Sequence, residues 1–145
     1  MSSIQAFDTP LPDVPPQARP FAEPSAETRR ASMPPLNELA VEEFSGGDRA
    51  VEAEIFQHFI AITSRDIEQL HAAIGNADPM AARLTSHRIK GACRIIGAAM
   101  LGAVLERIEL ASTRADWTAI RSELDNMDFE RNRLIRHMKE RMDCR

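Results

Sequence analysis

DPMAARLTSHRIKGACRIIG, residues 78 to 97, carries helix punctuation at both ends. Asp78 suits an N-cap, Pro79 the first turn and Gly97 the stop, so the spacing predicts one helix between them. At about 100° per residue, Leu84, Ile89, Ala92, Ile95 and Ile96 share one broad arc, which is expected to face a core. Arg83, His87, Lys90 and Arg94 fall on the opposite side, with Gly91 at the edge. His87 is therefore read as a surface histidine. Arg88 is the misfit: it projects near the apolar arc, and is read as a buried stem with its charged head outside.

The same logic extends in both directions. Upstream, RAVEAEIFQHFIAITSRDIEQLHAAIG spaces Ile55, Phe56, Phe59, Ile62, Ile67, Leu70 and Ile74 as one helical stripe, preceded by Asp48 as cap and ended at Gly75. Before it, LNELAVEEF reads as a short helix stopped by Ser45-Gly46-Gly47. Downstream, a helix from about Ala98 to Thr113 places Leu101, Val104, Leu105 and Ile108 on one face. A last helix follows Asp116 with the stripe Trp117, Ile120, Leu124, Met127, Leu134, Met138 and Met142, most simply core residues. Eight of the nine prolines lie within residues 1–35, which lack the large apolar side chains needed to offset ordering entropy. The predicted organisation is thus a proline-rich disordered linker over 1–35 and a helical domain over 36–145. The expected fold class is all-α: an up-and-down antiparallel four-helix bundle with a short extra N-terminal helix.

Composition narrows the function. With 145 residues there is room for one ordinary core. A net charge of −4 gives no whole-chain case for nucleic acid, and the cations of RNRLIRHMKERMDCR suit the solvent side of an amphipathic helix. Cys93 and Cys144 form no CxxC pair and point to a reducing compartment, so a cytoplasmic location is expected. No apolar run approaches the roughly 18 residues of a membrane span, and MSSIQAFDTPLP lacks a signal-peptide pattern. Direct membrane contact is not expected. A di-iron bundle needs two Glu-x-x-His elements, and only Glu68-Gln69-Leu70-His71 matches, so no metal site is expected. His58 and His137 are read as partly exposed helix residues.

What remains is the face around His87. Lys90 at i+3 and Gly91 at i+4 lie one turn away. Mid-helix glycine costs about 1 kcal/mol relative to alanine, so it calls for a reason such as close approach of another backbone. A neutral imidazole is a nucleophile near neutral pH, and an adjacent ammonium suits a phosphoryl group placed on it.

His87, Lys90 and Gly91 in HRIKGACRIIGA, with a glycine ten positions after the histidine and GAAMLGAVLERIELAS following, resemble the HxxKG signature of bacterial histidine phosphotransfer (HPt) domains. The resemblance covers roughly residues 36–145. It implies that His87 accepts a phosphoryl group from a receiver-domain aspartate and passes it to a response-regulator aspartate. Such a protein is a carrier, not an enzyme, without a cofactor of its own; magnesium is expected on the partner receiver. The family often places a glutamine or glutamate on the next helix to hydrogen-bond the histidine, and Glu109 falls at that position. Lys90 is then expected to offset phosphoryl charge, and Glu109 to fix the tautomer that leaves Nε2 free. Gly91, Arg83 and Arg94 are expected to dock the partner.

The partners implied are receiver domains of a hybrid sensor kinase and of a response regulator, with the chain a monomer. The proline-rich leader suits a tether behind a receiver domain at the cytoplasmic side of the inner membrane, and a free-standing carrier is equally compatible. The rival reading is a helical adaptor that binds a receiver or kinase without carrying phosphate. A kinase dimerisation bundle would precede an ATP-binding domain, and no nucleotide motif occurs.

Overall fold

The structure is a computed structural model, and it describes residues 33–144. The proline-rich segment expected at 1–35 lies outside the described residues apart from its last three. Leu36, the expected start of the fold, is fully buried.

Five helices and no strands occur among the described residues: α1 (Glu38–Ser45), α2 (Arg49–Gly75), α3 (Pro79–Ile96), α4 (Ala99–Thr113) and α5 (Trp117–Asp143). Side-chain caps set most of the starts. Asn37, Asp48, Asp78 and Asp116 each accept from a backbone N–H of the first turn, satisfying donors that have no intrahelical partner. The helix starting at Glu38, two residues after the expected Leu36, follows from Asn37 taking that role. Each of α2 to α5 packs on its sequence neighbour, α5 also returns to α2, and α1 rests on α2 and α3.

Leu101, Val104, Leu105 and Ile108 are all buried, as are Ile120, Met127, Leu134 and Met138 of the α5 stripe, while Trp117, Leu124 and Met142 are partly covered. Phe44 of α1 meets Phe56 of α2 edge-on, with ring centroids 6.3 Å apart. The expected faces of α2 and α3 need correction. Ile62 is 40% exposed, and Leu84 and Ile95 are 52% and 75% exposed rather than turned to the core. Ala92 is only partly covered. The inner face of α3 is instead Ala82, Thr85, Ser86, Ile89, Lys90, Cys93 and Ile96. Small side chains let neighbouring helices approach, and Ser86 enters the interior without penalty because its hydroxyl donates to its own Ala82 carbonyl at 2.7 Å.

α1 is fastened to the end of α3. The Asn37 N–H donates to the Gly97 carbonyl at 2.9 Å, and Gly97, at φ +79°, leaves so little room that an added Cβ would sit 2.7 Å from Ala40 Cβ. From the other side Arg141 reaches both Glu38 of α1 and Glu52 of α2. Gly97→Ala is therefore expected to lower unfolding free energy by about 2 kcal/mol or more, from left-handed backbone strain plus displacement of α1. Urea denaturation should show the midpoint fall with an unchanged slope; an unshifted midpoint would mean α1 yields freely.

Candidate functional site

His87 stands on the outer face of α3, its side chain 64% exposed. Its Nδ1 lies 2.9 Å from Oε1 of Glu109 on α4. The other carboxylate oxygen, Oε2, is 2.6 Å from Nζ of Lys90. One carboxylate thus spans the α3–α4 seam and holds two side chains of α3, a turn apart. Burial pulls the Glu109 pKa up, but contacts from Lys90 and then His87 outweigh it, and the carboxyl titrates below its ordinary value. An ionised carboxylate only accepts hydrogen bonds, so Nδ1 carries the proton and donates. In the neutral ring the lone pair is then on Nε2, which faces away from Glu109.

Of the residues singled out from sequence, His87, Lys90 and Glu109 come together. Lys90 departs from expectation in one respect. Helical projection puts it on the exposed face with His87, yet it is only 9% exposed and belongs to the inner edge of α3, because its ammonium is drawn to the Glu109 carboxylate. Arg83 is exposed, and Arg94 lies 3.9 Å from Glu106 on α4 with its guanidinium mostly in solvent. Gly91 has nothing within 4 Å of where a Cβ would stand, so no contact among the described residues requires glycine there.

Sequence reasoning missed the neighbours of this cluster. Leu84 and Ile95, taken for core, share the exposed face with His87, and Met80 (64% exposed) extends it. Arg88, the misfit, is bonded to α2: its Nη2 lies 3.1 Å from Oδ1 of Asp66 and 2.6 Å from Oε1 of Gln69. Its poor fit to either face was the available signal. Beyond Lys90 a groove of about 310 Å³ opens between α3 and α4, with Arg94 and Glu106 among its lining residues and Cys93 at its floor. Burial pushes the Cys93 thiol up to about 12, which leaves it unsuited to act as a nucleophile. His58 and His71 are exposed on α2, and His137 is engaged by Glu38 at 3.2 Å. Among the described residues no group of three or more His, Cys, Asp or Glu is arranged to hold a metal, and no helix is long and apolar enough to cross a membrane.

The family model for the Hpt domain matches residues 54–142. The chain belongs to the Hpt domain family. Hpt domains are histidine phosphotransfer carriers of phosphorelays, and they interact with receiver domains. The fold is similar to the crystal structure of histidine-containing phosphotransfer protein B (HptB) from Pseudomonas aeruginosa PAO1. That comparison gives a TM-score of 0.73 at 20% identity, covering 79% of this chain and 99% of that one. No curated protein matches the sequence. The Hpt match takes in α3, α4 and most of α2 and α5, and so includes every member of the His87 cluster.

The lowered pKa of Glu109 sets a pH test. A depressed folded-state pKa contributes stability that is fully present above the unfolded value and is lost as pH falls through the folded one. The stability difference between the parent and Glu109→Gln should therefore be constant above about pH 5 and change against the parent as pH drops below about 4.5. Parallel denaturation curves from pH 7 to 3 read this; a difference independent of pH throughout would contradict it.

Proposed function

We propose that His87 is the phosphoacceptor of this carrier, with Nε2 as the attacking atom. The observation that carries the reading is an exposed imidazole whose Nδ1 is held by a carboxylate on the neighbouring helix. The Nε2 lone pair attacks phosphorus of a receiver's aspartyl phosphate, an N–P bond forms, the P–O bond breaks, and the aspartate leaves as carboxylate. The return step hands the group to the aspartate of a response regulator by the same path reversed. Glu109 presents the ring in the tautomer that can attack. Lys90 acts first by keeping Glu109 ionised and in place, and contributes positive charge near the phosphoryl group. Magnesium for the exchange belongs to the receiver.

The docking face is asymmetric. Arg83 and Arg94 flank His87 on the side toward α4, while Leu84 and Ile95 lie on the side toward α2, with Gly91 low between them. A receiver with acidic groups on one rim and apolar side chains on the other fits this face. We read the four long helices as an up-and-down antiparallel bundle, supported by sequential packing and the return of α5 to α2. We read the carrier as a cytoplasmic monomer that works between receivers of a hybrid sensor kinase and of a response regulator.

Incubation with a phosphorylated receiver domain should transfer acid-labile label to the parent chain and not to His87→Gln, while variants at His58, His71 and His137 keep it. Label persisting in His87→Gln would overturn the assignment. An unlabelled parent, bound to receiver, would favour the adaptor reading. Gly91 gives a second test with opposite signs in two assays. Gly91→Ala should stabilise the fold by about 1 kcal/mol, since the Cβ enters open space in mid-helix. Gly91→Gln should retain helicity yet slow transfer from a receiver about tenfold through steric obstruction of docking. Unchanged transfer in Gly91→Gln would show the glycine to be incidental.

A further inference from the structure

Asp66 is a carboxylate on the inner side of α2, its side chain only 8% exposed, where an apolar residue would pack without desolvation cost. Its ion-pair partner is Arg88, the residue directly after His87. The contacts that bind α3 to its neighbours through Ala82, Ile89 and Cys93 are apolar and non-directional. Apart from the α1 bond at Gly97 and the solvent-exposed Arg94–Glu106 pair, the directional ones cluster around His87. His87 and Lys90 are bonded to Glu109 of α4 on one side, and Arg88 is bonded to Asp66 and Gln69 of α2 on the other.

We infer that Asp66, acting through Arg88, is a positioning residue that fixes the roll of α3 so that His87 meets Glu109; this rests on the proposed role of His87. Geometry makes the requirement sharp. A side chain extends about 5 Å from its helix axis, so a roll of about 10° displaces the ring by about 1 Å. That is enough to break a hydrogen bond of 2.9 Å. Glu109 alone gives α3 a directional bond on one side only, and the apolar packing against α2 does not by itself set the roll. Opposing bonds at successive residues set it. Only the Asp66 end of this pair is buried, since the Arg88 side chain is 53% exposed; such a pair is a weak source of stability and is better suited to choosing one arrangement among several.

The test uses the full chain and two phosphoryl donors: a phosphorylated receiver domain, and phosphoramidate, a small molecule that needs no docking face. Asp66→Asn removes the charge while keeping the shape, and its site is too buried to touch a donor. It is expected to slow labelling of His87 from both donors about tenfold or more. With the receiver, the saturating rate should fall while the half-saturating receiver concentration stays constant. The Nδ1 proton of His87, followed by NMR, should exchange faster than in the parent. The double variant Asp66→Leu/Arg88→Leu covers the case in which Asp66→Asn is poorly folded. Its thermal midpoint should stay close to the parent's, since the exposed Arg88 end contributes little, while labelling by phosphoramidate stays slow. Parental labelling rates in a folded Asp66→Asn would overturn the inference, and so would parental rates in the leucine pair. A fast Asp66→Asn beside a slow leucine pair would instead mean that Arg88 acts on the phosphoryl group itself. A parent chain that takes label elsewhere than His87 overturns the phosphoacceptor assignment, a result distinct from all of these.

Discussion

The Glu109 carboxylate lies between the Lys90 ammonium and the His87 ring, bonded to one through each oxygen. Neither bond would suffice by itself. An unpaired carboxylate at a helix–helix seam is costly to desolvate, and Lys90 removes that cost by bringing an opposite charge to 2.6 Å. Once ionised, the carboxylate can only accept, and that dictates which nitrogen of His87 bears hydrogen. The contact therefore couples packing to chemistry. The same side chain that closes the α3–α4 seam determines the protonation pattern of the exposed ring.

This dependence explains which parts could be read from the order of residues. Helix limits were legible because they are local: Asp48, Asp78 and Asp116 are caps within three residues of the donors they satisfy, and Gly97 stops α3 by its own backbone conformation. Stripes of large apolar residues located α4 and α5 correctly. The same counting misplaced the inner face of α3, where Leu84 and Ile95 were weighted above Ala82, Ser86 and Cys93. Volume misled there, because a seam between close helices selects small side chains and leaves large ones outside. His87 and Glu109 were paired only through the resemblance to known phosphotransfer domains. The ion pairs of Lys90 and Arg88 depend on which helix lies alongside, and no periodicity within α3 contains that information.

Two glycines of α3 and its cap show the difference between an internal and an external requirement. Gly97 is demanded by this chain, since its left-handed backbone and the contact with Ala40 both exclude a side chain. Gly91 faces open space in the middle of a helix, where alanine would suit the isolated domain better. It weakens its own helix and relieves no crowding among the described residues, and under the proposed function its reason is a partner approaching from outside. Its place one turn from an exposed imidazole, between cations and exposed apolar side chains, gives that approach a direction.

The engagement of Lys90 bears on how a carrier avoids becoming a trap. A phosphoryl group that must leave as readily as it arrived cannot be bound much more tightly than it is by the aspartates on either side, since every 1.4 kcal/mol of excess stabilisation costs about tenfold in onward transfer. A free ammonium directly on the phosphoryl oxygens would tend toward such excess. Here much of the charge of Lys90 is already neutralised by Glu109, and its side chain is nearly buried, so what it offers an incoming dianion is attenuated. Glu109 moderates further, because a carboxylate near a phosphorylated ring repels the group while its hydrogen bond stabilises the positive ring beneath it. Under the proposed chemistry these effects oppose one another. That opposition follows from sharing one carboxylate between the histidine and the lysine rather than from any feature of either side chain alone.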